Sequence, residues 1–160
     1  MFKTHFGETV VVVLSIVMGL IMAVSSLIVE GHAINPSSVF RVWSMITMVI
    51  LLISIFIPFK DWSDRLMITF GIKENTLAHK LAGNILPTLI LNTMITLVVS
   101  AGNIFYNTAI PEAEQLTVWI NSVIHDWPIT LVISYFAAFI AEWCGVKVAE
   151  RFVGKEKQEY

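Results

Sequence analysis

His125 and Asp126 stand next to each other in the tetrad His125-Asp126-Trp127-Pro128, just ahead of the last long apolar run of the chain. A carboxyl beside an imidazole can pass a proton near neutral pH when its surroundings shift it. Ionisable side chains at membrane depth are costly and mark functional sites by default. Asn121 shares a helical face with His125, and Ser122 shares one with Asp126. Successive helical positions point about 100° apart, so spacing alone predicts that His125 and Asp126 do not pair with each other. Their partners are then expected on the preceding helix or in another subunit. A second reading stays open. Residues Glu112–Asp126 also fit an interfacial amphipathic segment, with Leu116, Trp119, Ile120, Val123 and Trp127 inward and both ionisable groups in outer water.

A second constellation precedes it. Asn84, Thr88, Asn92, Thr96 and Ser100 recur at i, i+4 spacing, and Asn103 and Asn107 follow. Such a strip should face a bundle interior, either as interhelical glue or as one wall of a polar path. Pro87 is placed to open the backbone near its start. Glu8 is a third candidate, either a solvated charge near a helix N-terminus or a proton or cation gate. Glu30 and His32 read as an exposed loop that could also draw a cation to an outer mouth, and Glu142 as a partner for Lys147. Histidines, carboxylates and methionines occur without metal-ligand spacing such as HxxxH, so no metal site is assigned. The single cysteine, Cys144, excludes an internal disulfide and any CxxC motif. No Walker loop, GxSxG or HExxH occurs, which points away from an enzyme and from a cofactor.

The elements that must hold these residues are membrane spans. Of the 160 residues, 56% are hydrophobic and 14% charged, with mean hydropathy +0.77. Soluble domains carry about a quarter charged residues. Four apolar runs can cross a bilayer core of about 30 Å: Thr9–Val29, Phe40–Phe59, Leu81–Phe105 and one within Leu116–Val148. The first is too long for a signal-peptide core and has Glu8 where positive charge is wanted, so it reads as a retained helix. Of the lysines and arginines, Arg41 alone falls in the two outer loops. Lys3, Lys60, Arg65, Lys73, Lys80, Lys147, Arg151, Lys155 and Lys157 lie at the ends or between the second and third runs, which predicts both termini in the cytoplasm. A net charge of −2 without a basic cluster gives no reason to expect nucleic acid.

The four runs read as two copies of one hairpin. At one constant, gap-free offset Gly7 meets Gly83, Met18 meets Met94 and Ile28 meets Ile104. Ala33-Ile34 then meets Ala109-Ile110, and Val42-Trp43 meets Val118-Trp119. We therefore expect an all-α integral membrane protein of two parallel two-helix repeats, residues 1–75 and 76–160, the second with a basic tail. At this offset the helix-3 strip answers to Glu8, Val12, Ile16, Leu20 and Val24, and His125-Asp126 to Val49-Ile50. The architecture itself does not require those polar residues. The fourth helix is also longer: Trp43 to Trp62 covers about 28 Å of helix and Trp119 to Trp143 about 36 Å. It must tilt, kink at Pro128, or project beyond the interface.

Asn35-Pro36 and Pro111-Glu112 supply helix starts. Ser63–Lys80 is the one sizeable inner connection, and Leu66, Met67 and Phe70 suggest that helix 2 runs on along the membrane surface to Gly71. Small residues recur on helix 1 (Ser15, Gly19, Ala23) and helix 4 (Ala137, Ala141, Gly145), which predicts close packing within one chain or across a dimer.

The second repeat, Leu81–Val153, carries a tryptophan at the outer end, Trp127-Pro128 further on, and small residues leading into a basic tail. Ser100 and Asn103 add a serine late in a span followed by an asparagine. In these features it resembles a bacterial family of small two-helix membrane proteins known as a domain of unknown function. The first repeat keeps Trp43 but has no Trp-Pro. The resemblance implies a hairpin fold and a bacterial cytoplasmic membrane, and brings no established activity. The tandem-hairpin plan is also similar to the proteobacterial antimicrobial compound efflux family, whose motifs are not found. The expected function is a proton- or ion-coupled transporter or channel for a small solute, working as a homodimer. Asp126, His125, Asn121, Ser122, Asn92, Thr96, Asn103 and Glu8 are its candidate path. The alternative is a non-catalytic protein that regulates another membrane protein.

Overall fold

The computed structural model describes residues 5–73 and 76–153, all of whose regular structure is helical. Lys3 and the tail Lys155–Tyr160, used above in the charge balance, lie outside the described residues. Four helices are long and apolar enough to cross a membrane: α1 (His5–Val29), α2 (Pro36–Phe56), the segment Leu77–Phe105, and α6 (Glu112–Phe152). The third of these consists of α4 (Leu77–Gly83) and α5 (Ile85–Phe105), and α3 (Phe59–Thr69) precedes it. α6 packs along both α1 and α5, while α2 lies against α1 and only lightly against α5. Met18, Met22, Leu27, Val42, Ile46, Ile50, Leu91, Ile95 and Val99 fill the centre. Phe40, Met48, Ile55, Phe136 and Ile140 stand exposed, as they can against lipid tails.

The helix-4 small-residue row meets α1 within one chain. A Cβ on Gly145 would lie 2.9 Å from the Val10 carbonyl oxygen, so α6 approaches α1 nearly backbone to backbone. Gly19 instead faces α2, where a Cβ would collide with Thr47 Oγ1.

Three local features set the frame. α2 starts where Asn35 accepts from the Ser38 amide and Ser38 Oγ answers to the Asn35 N–H, with Pro36 in the first turn. α2 does not run on to Gly71, correcting the sequence expectation. Pro58 has no N–H and forces Ile57 into extended backbone, so α2 stops at Phe56 and α3 begins afresh. Met67 of α3 is buried, and Phe70, just past its end, is exposed. The third feature is a break at Asn84, which divides the expected span Leu81–Phe105. Pro87 cannot donate to the Gly83 carbonyl, and Ser63 Oγ of α3 donates to it instead. The Leu81 carbonyl, freed at the same break, accepts from the Tyr135 hydroxyl of α6 at 3.0 Å. Ser63 thereby clasps α3 onto the end of α4, with His79 Nε2 3.4 Å from Asp64 Oδ1 beside it.

Candidate functional site

The carboxylates of Asp126 and Glu30 line one small cavity at the end of the bundle that carries the two short loops. Ser26 and Val29 of α1, Thr96, Val99 and Ser100 of α5, and Thr130 of α6 complete it. Its volume is about 10 Å³, close to what one water molecule needs. Asp126 is 7% exposed although α6 is only partly covered here. Ser122 Oγ donates to its Oδ2 at 2.9 Å. Thr130 Oγ1 donates to the Asp126 carbonyl and lies 3.2 Å from Thr96 Oγ1, which binds α6 to α5 at this level.

His125 Nδ1 lies 2.8 Å from Asp126 Oδ1, so the two do pair, against the expectation from spacing. Their Cβ atoms diverge, but Nδ1 sits at the near edge of the imidazole and the aspartate is short, so the ring swings across the gap. The histidine stays 72% exposed and the aspartate 10%. The outer-water reading therefore describes His125 and not Asp126. The pair joins a surface imidazole to an inward carboxylate.

Glu30 was read from sequence as a loop residue, and the fold makes it part of the site. Gly31, at φ 68°, ends α1 with its own N–H on Ile28 and the His32 N–H on Leu27. This left-handed turn favours glycine and leaves Glu30 as the last residue of the helical path. His32 Nε2 comes to 3.2 Å from Glu30 Oε2, and the Glu30 side chain is only 13% exposed. Asn103 Nδ2 donates to Glu30 Oε2 at 2.8 Å, and its Oδ1 accepts from Arg41 at 3.2 Å. Burial pushes the Glu30 carboxyl above its ordinary value, and the charge of Asp126 adds to this. His32, the Asn103 hydrogen bond and Arg41 oppose it. The missed signal was the Glu30-Gly31 pair at the end of an apolar helical run, where glycine after the last turn is common.

Other expected members fall in different places. Asn92 is fully buried, and its Nδ2 donates to the Trp127 carbonyl at 3.2 Å, one residue beyond Asp126. Asn121 is exposed, and none of its side-chain contacts joins it to the cluster. Glu8 lies exposed at the opposite end of α1, 3.4 Å from His5 Nδ1, and does not meet the others. Lys147 pairs with Glu150 at 3.5 Å rather than with Glu142. Among the described residues no group of three His, Cys, Asp or Glu could hold a metal ion.

The arrangement puts two carboxylates and several hydroxyls on one cavity of about water size. It has no room for an organic solute in this conformation. The fold and site define an all-helical protein with four membrane-length helices and a buried acidic pair near one end. No protein-family model, no curated protein and no solved structure matches the chain.

Proposed function

We propose that the protein is a proton-handling membrane transporter or channel, with Asp126 and Glu30 as the groups that take up the ion. The observation that carries this reading is the convergence of two carboxylates, each with its own surface-facing histidine, on one water-sized cavity. Carboxylates placed at membrane depth on one cavity mark an ion-handling site by default. Exposed His32 and His125 are suited to relay it to and from water. Protons are favoured over a solute because of the volume.

In this reading the short-loop end faces outward and both termini lie in the cytoplasm, as the distribution of lysine and arginine supports. The chain is a tandem of two parallel hairpins in a bacterial cytoplasmic membrane, supported by the offset identities and the family resemblance. A homodimer fits the small size of the bundle and the exposed apolar face of α2. That same face also favours the rival reading, a non-catalytic protein that binds another membrane protein. Purified protein in liposomes with an imposed pH gradient separates the two. Transport requires dissipation faster than in empty vesicles, with potassium and valinomycin clamping the voltage. The rival requires no flux under any gradient.

A further inference from the structure

Among the described residues, the buried side-chain polar atoms without a hydrogen-bond partner are His79 Nδ1, Asn84 Nδ2, Thr88 Oγ1 and Asn92 Oδ1. They are not scattered over the molecule. All fall in one stretch of α4 and α5, and the last three recur every fourth residue. Thr88 is 1% exposed and Asn92 0%, so neither reaches solvent at the surface. Leaving a buried polar atom unpaired costs about 1–3 kcal/mol. Buried groups of this kind are commonly met by internal water.

We infer that Asn92, Thr88 and Asn84 line a file of water molecules that carries protons between the Asp126–Glu30 site and the clasped α3–α4 end. The inference rests on the proton-handling reading and extends it. Three features support it beyond the orphaned atoms. The file starts in contact with the site, because the Asn92 amide is fixed on the Trp127 carbonyl beside Asp126. It crosses about 18 Å of helix from Thr96 to Asn84 through side chains that donate and accept but do not ionise, and so order water without trapping a proton. The adjoining α4 carries an imidazole whose buried Nδ1 has no partner and whose Nε2 lies 3.4 Å from the partly exposed Asp64 carboxylate.

The proton balance is simple. Asp126 or Glu30 gives one proton to the first water, and each water accepts one and passes one on. His79 Nδ1 takes the last, and Nε2 releases its own to Asp64 or to solvent. One proton has moved, and tautomer exchange restores the ring.

Ser134 is the internal control. It is as deeply buried, but its hydroxyl is satisfied by the Leu131 carbonyl at 3.0 Å. Solid-state NMR on the whole protein in bilayers, with polarisation transferred from water, reads hydration directly. Thr88 and Asn92 side chains should receive it well ahead of Ser134. Arrival no faster than at Ser134 overturns the file. In liposomes, Thr88→Val and Asn92→Leu should each cut proton flux by about tenfold, as expected when a barrier gains an unmade hydrogen bond. Both variants should keep the wild-type melting profile. Flux that is lost in Asp126→Asn but unchanged in both α5 variants overturns the file and leaves the site standing. Hydrated Thr88 and Asn92 without any wild-type flux remove the proton site, and the conducting role with it.

Discussion

Val12, Ile16 and Leu20 of α1 align by sequence offset with Thr88, Asn92 and Thr96 of α5, yet the two sets face opposite ways. The three apolar side chains are each more than 40% exposed, and the three polar ones are buried. Ile50, which shares its register with Asp126, is fully buried in the apolar core. Lipid accepts apolar side chains and rejects amides and hydroxyls, so the polar strip turns α5 inward while α1 turns its own small residues inward. The contacts differ accordingly: α1 lies tightly along α6, whereas α5 and α2 touch lightly. The lesson is a division of labour in which the first hairpin contributes mainly packing, plus Glu30 and Ser26, and the second carries the polar groups.

That contrast can be broken at its seams. Gly145→Ala pushes a methyl against the Val10 backbone oxygen, which cannot move cheaply, and should cost about 1–3 kcal/mol in a reversible unfolding titration. Gly145→Leu should abolish folding. Gly102→Ala on the loose side meets only the flexible end of Met45 and should cost under about 1 kcal/mol. Equal losses at the two glycines would mean that the seams do not differ.

A second pair separates packing from path. Met22, fully buried in the apolar core, should lose about 2–5 kcal/mol of stability as Met22→Ala. Flux per folded molecule should hardly change. Thr96→Val keeps the volume and should cost about 1 kcal/mol through the lost contact with Thr130, while slowing proton flux several-fold.

Glu30 sharpens the comparison by pH. Its folded carboxyl is raised above the ordinary 4.5, so the native state binds more protons than the unfolded chain over the range between the two values. Stability from this group is fully present below 4.5 and is lost as pH rises through the folded value. Asp126, His32 and Arg41 face it directly, Asn103 bonds it, and His125 acts on it through Asp126. The melting temperature in detergent should fall across that range, and Glu30→Gln should flatten the fall. A slope of the opposite sign in the wild type would contradict the burial argument.

Modest effects belong to two tryptophans, Trp43 and Trp119. Trp43 Nε1 donates to the Ile16 carbonyl and Trp119 Nε1 to that of Leu97, so each ties its helix to the one before it. Ile16 is the register counterpart of Asn92 and not of Leu97, so α2 is tied at a deeper level of its hairpin than α6. Trp43→Phe and Trp119→Phe should each cost about 0.5–1.5 kcal/mol in thermal unfolding.

Much of this was legible in the sequence because the signals are local. The i, i+4 strip, the Asn35-Pro36 start and the lone charged pair ahead of an apolar run all declare themselves within a few residues. What was not legible depends on distant chain. The span breaks at Asn84, where Ser63 meets the Gly83 carbonyl that Pro87 leaves free and Tyr135 meets that of Leu81. Pro58, which ends α2, was overlooked inside a hydrophobic run. Glu30 looked like loop because its burial comes from Asn103 and the α5–α6 hydroxyls, none of them near it in sequence. The His125–Asp126 contact was missed because helical spacing describes Cβ directions and not ring geometry.

The central claim is that a buried carboxylate in the second hairpin handles protons, and Asp126→Asn in liposomes tests it most directly. Asparagine keeps the shape and the hydrogen bond from Ser122 but cannot titrate. The account predicts that wild-type vesicles dissipate an imposed pH gradient under voltage clamp and that the variant, folded to the same melting profile, falls to the rate of empty vesicles. Wild-type flux that survives unchanged in Asp126→Asn, with the same pH profile, would contradict it.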